Sequence, residues 1–138
     1  MIREATLDDI PALMAMGEAF SEKAKLIDSV GYDPASAETT FRLMIETPGY
    51  VILMTDDGAL GGAAIPHPFN SAHILAQEVF WWAKRDGLKL LAAFEEWASQ
   101  RASSIRMGCL EASEPDRVAK IYERRGYRPL ERGFIKGF

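Results

Sequence analysis

The chain has 138 residues, of which 48% are apolar and 26% charged, a balance that excludes a disordered tail, a collagen-like repeat and a disulfide-stapled mini-protein. One domain of this length buries roughly 68% of its unfolded surface and needs no metal or disulfide staple. The net charge of −4 argues against a uniformly basic nucleic-acid face, and the single Cys109 has no internal disulfide partner, as expected in a reducing cytoplasm.

Met1-Ile2-Arg3-Glu4-Ala5-Thr6 carries charges where a signal peptide needs its apolar run. The apolar stretch Tyr50 to Met54 is far below the roughly 20 residues that cross a bilayer. A cytoplasmic protein with no membrane partner is expected. In chain order, Ile2–Ala5 reads as a short strand. Thr6 and Asp9 form a capping pair, with Asp8 an alternative cap that puts Pro11 in the first turn. Ile10, Leu13, Met14, Gly17 and Phe20 then share one helical stripe. Gly31-Tyr32-Asp33-Pro34 is a turn, with the 21–34 segment expected to cover one side of any cleft. A second helix carrying Phe41, Leu43, Met44 and Ile45 ends at Pro48-Gly49.

Tyr50–Thr55 is rich in β-formers, and Asp56-Asp57-Gly58 is a hairpin signal before a small-residue strand over 59–65. Pro66-His67-Pro68-Phe69-Asn70 makes a loop. His73–Ala83 is the longest strand, apolar on both sides and therefore central. Leu88–Ala102 is a helix buried through Leu90, Leu91, Phe94, Trp97 and Ala98. Ser104–Leu110 reads as a strand that holds Cys109 as a core thiol. The next helix is capped by Ser113 or Glu114, has Pro115 in its first turn and Gly126 beyond its end, and buries Val118, Ile121 and Tyr122. Tyr127–Lys136 is expected as a final strand. The order β-α-α-β-β-β-α-β-α-β gives an α/β (α+β) fold: a mixed, mostly antiparallel sheet of about six strands flanked by four helices, in one domain over 1–138.

This order, with Arg3-Glu4-Ala5-Thr6 and Asp9, Glu78-Val79-Phe80-Trp81-Trp82, Gly87-Leu88-Lys89-Leu90-Leu91 and Ile121-Tyr122-Glu123-Arg124-Arg125-Gly126-Tyr127, resembles the GNAT N-acetyltransferase superfamily. The last segment is similar to that family's Tyr-x-x-x-Gly-Phe signature. The Phe80-Trp81-Trp82 strand and the Phe94–Ala98 helix are most like the small GNAT proteins of phages and their hosts. The resemblance implies acetyl transfer from acetyl-CoA, as cosubstrate, to an amine of a small molecule or peptide, by direct attack.

A neutral amine needs a base nearby, and a carboxylate on an apolar central strand has its pKa raised toward the working range. Glu78 is that carboxylate, on a strand face expected to hold Ile74, Ala76, Phe80 and Trp82. The competing reading pairs Glu78 with Lys84, Arg85 or Arg106, or with a loop. Tyr122 stands at the position of the family's general acid, and it also belongs to a helix-packing face. Main chain near Phe80, Trp81 and Trp82 would polarise the thioester carbonyl.

Lys84, Arg85, Gly87 and Leu88 stand where the family binds the CoA pyrophosphate at a helix N-terminus. They depart from its glycine-rich loop, which here is several residues short, and Lys84 and Arg85 partly compensate by charge, or else form a solvated turn. Pro115 also replaces the family's asparagine. A non-catalytic ligand-binding or interaction module on the same fold is the alternative function. Trp81, Trp82 and Trp97 read as core, as a homodimer face or as acceptor lining. Glu111 and Glu114 either favour a cationic acceptor or complement a helix dipole. His67 and His73 lack metal-ligand spacing, so no metal is expected.

Overall fold

Residues 51–54 have no polar side chain to turn outward, and both sides of this run are covered. Val51 and Leu53 pack toward one helical layer, Ile52 and Met54 toward another, all 7% exposed or less. Uninterrupted apolar runs are what a strand buried on both faces requires. A computed structural model describes residues 1–138 apart from the side chain of Ile27. Its sheet has the order β1 (Arg3–Glu4), β2 (Tyr50–Met54), β3 (Gly58–His67), β4 (Asn70–Ala83) and β5 (Ser104–Arg106). The first four strands pair antiparallel, and β5 pairs parallel with β4.

One face carries α1 (Ile10–Lys23) and α3 (Pro34–Glu46), which bury Ile10, Leu13, Phe41 and Met44 against Ile52, Met54 and Ala59. Between them lies a single turn, α2 (Leu26–Ser29), which no periodicity announced. The other face carries α4 (Gly87–Ser99), whose buried residues are Leu90, Leu91, Phe94, Trp97 and Ala98, the expected stripe. Arg125, just past the end of α5 (Pro115–Arg124), is ion-paired there to Glu95 of α4. The Thr6–Asp9 cap forms, the Thr6 N–H donating to Asp9 Oδ2 at 2.7 Å while Arg3 grips both carboxylate oxygens, each at 2.7 Å.

Two expected strands change. The 104–110 strand stops at Arg106, and the 127–136 strand does not form, so the sheet has five strands rather than about six. Arg128–Phe138 is exposed, and Glu131 meets Arg106 beside β5 without a backbone ladder. Pro129 lacks a ladder donor, while Gly133 and Gly137 have low strand propensity. Among the described residues, no helix is long and apolar enough to cross a membrane.

Candidate active site

The parallel pairing of β4 with β5 covers only Leu75–Gln77 against Ser104–Arg106. Beyond it β4 runs on to Ala83, while the chain leaves β5 at Met107. The departure is held by side chains. The Gly108 N–H donates to Glu78 Oε1 at 3.1 Å, and the Tyr122 phenol donates to the Gly108 carbonyl at 2.6 Å. Backbone groups that would extend the ladder are therefore bonded to Glu78 and Tyr122, and a slot opens between the strands.

A second irregularity lies at the same level. Gly61 pairs with Phe80 and Gly62 with Glu78, so Val79 is an extra residue, a β-bulge. A bulge shifts the two-residue alternation. Ala76 lies with α4, opposite Ala64, and Glu78 lies on that side opposite Gly62, whose missing Cβ would stand 2.4 Å from the Phe94 ring. After Val79, Phe80 and Trp82 fall on the α1/α3 side and Trp81 on the α4/α5 side. Glu78 thus shares its face with Ala76 and Trp81, not with Phe80 and Trp82 as straight alternation predicts.

A cavity of about 440 Å³ occupies the slot. Its walls come from both faces of the sheet: Glu78 and Trp81 with the 108–110 loop, and Phe80 and Trp82 with α1 and α3. Burial raises the Glu78 carboxyl above the usual carboxylate range, opposed in part by the Gly108 N–H. Lys84, Arg85 and Arg106 are absent from its partners: Arg85 pairs with Asp57 at 2.8 Å, and Arg106 with Glu131. Among the described residues, Glu78 has no ion pair. Tyr122 is 7% exposed and its ring centroid lies 6.1 Å from that of Trp81. Burial, and secondarily the Glu78 charge, push its phenol well up, so it stays protonated, and its hydroxyl is bonded beside the cavity rather than lining it.

Lys84, Arg85, Gly87 and Leu88 follow the end of β4, outside the cavity walls. Asp86, the N-cap of α4, is in the left-handed region (φ 59°) and makes no side-chain cap, so the first amides of α4 lack a side-chain acceptor. Those uncapped amides fit a phosphate group. The cations fit it less fully, because Arg85 is held by Asp57 and Lys89 meets Asp86 at 3.1 Å.

Trp97 is core on α4, away from the cavity. His67 and His73 face each other at the β3–β4 end, also away from it. Cys109 is exposed in the loop after β5 and lines the cavity, contrary to a core thiol, because the strand ends before it. Reasoning from sequence missed Gly17, Phe20, Tyr32 and Phe41 as cavity walls, and Gly108 as the anchor of the slot. A glycine inside an apolar strand pattern was the available signal for Gly108. Nothing in the local pattern distinguishes Val79 from its neighbours.

No family model and no curated protein matches the sequence. Solved structures do match. A ribosomal-protein-alanine N-acetyltransferase from Brucella melitensis biovar Abortus 2308 is 15% identical with a TM-score of 0.71, over 100% of this chain and 98% of that one. A predicted acetyltransferase with acetyl-CoA from Clostridium acetobutylicum is 15% identical with a TM-score of 0.70, over 99% and 95%. A transcriptional regulator from Bacillus halodurans C-125 is 18% identical with a TM-score of 0.73, over 100% and 99%.

The chain has the GNAT acetyltransferase fold. The Glu78 slot lies where β4 and β5 part, and the uncapped amides of α4 lie just past the end of β4.

Proposed function

We propose that residues 1–138 act as one acyltransferase domain that moves an acetyl group from acetyl-CoA to an amine. The observation that carries this reading is the slot between β4 and β5, with the Glu78 carboxylate in its wall. Glu78, raised by burial, accepts the proton of the incoming ammonium. The amine nitrogen then attacks the thioester carbonyl directly, forming the C–N bond as the C–S bond breaks. Backbone amides from the Val79 bulge to Trp82 polarise the carbonyl oxygen. Tyr122 turns its O–H from the Gly108 carbonyl and gives its proton to the departing thiolate, and the second proton that the nitrogen loses on forming the amide restores the phenol. The α4 amides at Gly87 and Leu88, with Lys84, receive the diphosphate.

Isothermal titration with acetyl-CoA tests this reading, with binding in the micromolar range expected. Absence of heat at millimolar ligand overturns it.

A second reading is a non-catalytic module on the same fold. It is favoured by the commitment of Arg85 to Asp57 and of Lys89 to Asp86, which leaves Lys84, two residues before the Asp86 N-cap of α4, as the basic residue of this segment outside the ion pairs found among the described residues. The same titration separates the two.

A further inference from the structure

The α1/α3 side of the cavity is walled by rings. Phe80 and Trp82 stack with centroids 4.3 Å apart and planes 14° apart, and Phe41 stands edge-on to both at 86° and 81°. Phe20 lies 5.1 Å from Trp82, and Tyr32 closes the same wall. Phe20, Tyr32, Phe80 and Trp82 are only half-buried, whereas Met44, Ile52 and Met54 on the same side of the sheet are 3% exposed or less. Gly17 keeps this space open: a Cβ there would stand 3.3 Å from Phe41, 3.6 Å from Trp82 and 3.7 Å from the Tyr32 hydroxyl.

Among the described residues, Glu78 is the only charged one in the walls, and the Glu18 charge reaches Tyr32 from outside. Among the described residues no cation lines the cavity, so a carboxylate on the ligand would find no partner there. Of the hydroxyls in the walls, that of Ser21 is bonded to the Gly17 carbonyl at 2.8 Å and that of Tyr32 to the Met14 carbonyl at 3.5 Å, while Thr40, Ser113 and the buried Trp82 Nε1 are scattered polar groups around the rings. A sugar rich in hydroxyls or a second ammonium would lose more water contacts than these few groups replace.

From the aromatic wall, the single carboxylate and the open floor at Gly17, we infer that the acceptor is a small arylalkylamine, a primary amine on a short alkyl chain bearing one aromatic ring. This rests on the acetyltransferase reading for the transfer step, but the ring pocket itself is measurable without it. Binding of phenethylamine and tryptamine to the protein alone is followed by saturation-transfer NMR, and acetyl-CoA-dependent thiol release is followed for those amines, spermidine, kanamycin, phenylalanine and a phenylalanyl peptide. Expected is a kcat/KM for phenethylamine at least tenfold above that of every other class, and weaker phenethylamine binding, by tenfold or more, in Gly17→Leu. Ala37→Leu, from the α3 wall, is the second variant should Gly17→Leu fail to fold.

Preference for spermidine, kanamycin, phenylalanine or the peptide, with acetyl-CoA bound, overturns the arylalkylamine inference alone. No phenethylamine binding at millimolar concentration overturns it as well. Phenethylamine binding that Ala37→Leu abolishes, in a protein silent toward acetyl-CoA, upholds the pocket and defeats the transferase reading alone.

Discussion

Glu78 and Tyr122 hold the two backbone polar groups of one residue: the carboxylate accepts the Gly108 N–H at 3.1 Å, and the phenol donates to the Gly108 carbonyl at 2.6 Å. The two candidate proton-transfer residues are thereby also the groups that keep β5 away from β4. Chemistry and architecture are coupled at this point, and substitutions must be read for both.

Glu78→Gln keeps a side-chain oxygen that can accept the Gly108 N–H but cannot take a proton. Acetyl-CoA affinity should stay within about twofold while turnover falls about a hundredfold, within the range for a lost general base. Because burial raises the Glu78 carboxyl, the wild-type rate should fall on the acid side along a limb placed above the ordinary carboxylate range. Thiol-release rates across pH check both, and equal rates for the two proteins would remove Glu78 from the reaction.

Tyr122→Phe removes the bond to Gly108 without removing the ring. The cost to folding should be about 1 kcal/mol. Cys109, next to the released carbonyl and the sole cysteine of the chain, should react several-fold faster with an aromatic disulfide reagent. An unchanged labelling rate would show that this hydrogen bond does not restrain the loop.

Asp57→Asn should free Arg85, whose guanidinium Asp57 holds at 2.8 Å from the β2–β3 turn. If the end of α4 binds a diphosphate, the affinity for acetyl-CoA should tighten a few-fold, more strongly at low salt. Titration at two ionic strengths measures it, and weaker binding would mean that the Arg85–Asp57 pair itself shapes the site.

Much of this architecture was legible in the sequence wherever local chemistry decides. Thr6 and Asp9, Asp56-Asp57-Gly58 and Pro115 mark element ends through caps and turns that do not depend on distant partners. The α4 stripe was legible because helical periodicity follows from a single buried side. The bulge was not, because Val79 sits in a run that is apolar on both faces, where a skipped residue leaves no trace in polarity. The end of β5 was not legible either. Met107, Cys109 and Leu110 look like strand residues, and only the long-range bonds from Glu78 and Tyr122 to Gly108 turn the chain away. The ring pocket combines α1, the turn at Tyr32, α3 and β4, which no sequence window contains.

Gly62→Ala tests the close approach beside the bulge. A Cβ there would lie 2.4 Å from Phe94, a ring with no exposure, so the ring or the strand must shift. Overpacking of this kind costs about 1–3 kcal/mol. Urea denaturation should show the midpoint falling at constant slope.

Asp9→Asn tests the N-terminal cap. Arg3, then the Thr6 amide, hold the Asp9 carboxyl well below the usual carboxylate range. A depressed folded pKa stabilises the protein above the unfolded value of 3.8, and this contribution fades as pH falls through the folded one. The variant should therefore be less stable by about 1 kcal/mol at neutral pH. The gap should narrow in acid, near about pH 2, when unfolding is followed by circular dichroism.

The extra residue in β4 makes spacing, rather than composition, the quantity that matters around position 79. Removing Val79 would leave Glu78 opposite Gly62 and Phe80 opposite Gly61 as successive pairs, so both compartments would keep their occupants and β4 would lose only the bend that the bulge gives it. Libraries that vary side chains here at constant length would tune the pocket's chemistry, whereas a single-codon deletion would keep its occupants and straighten the strand that carries them.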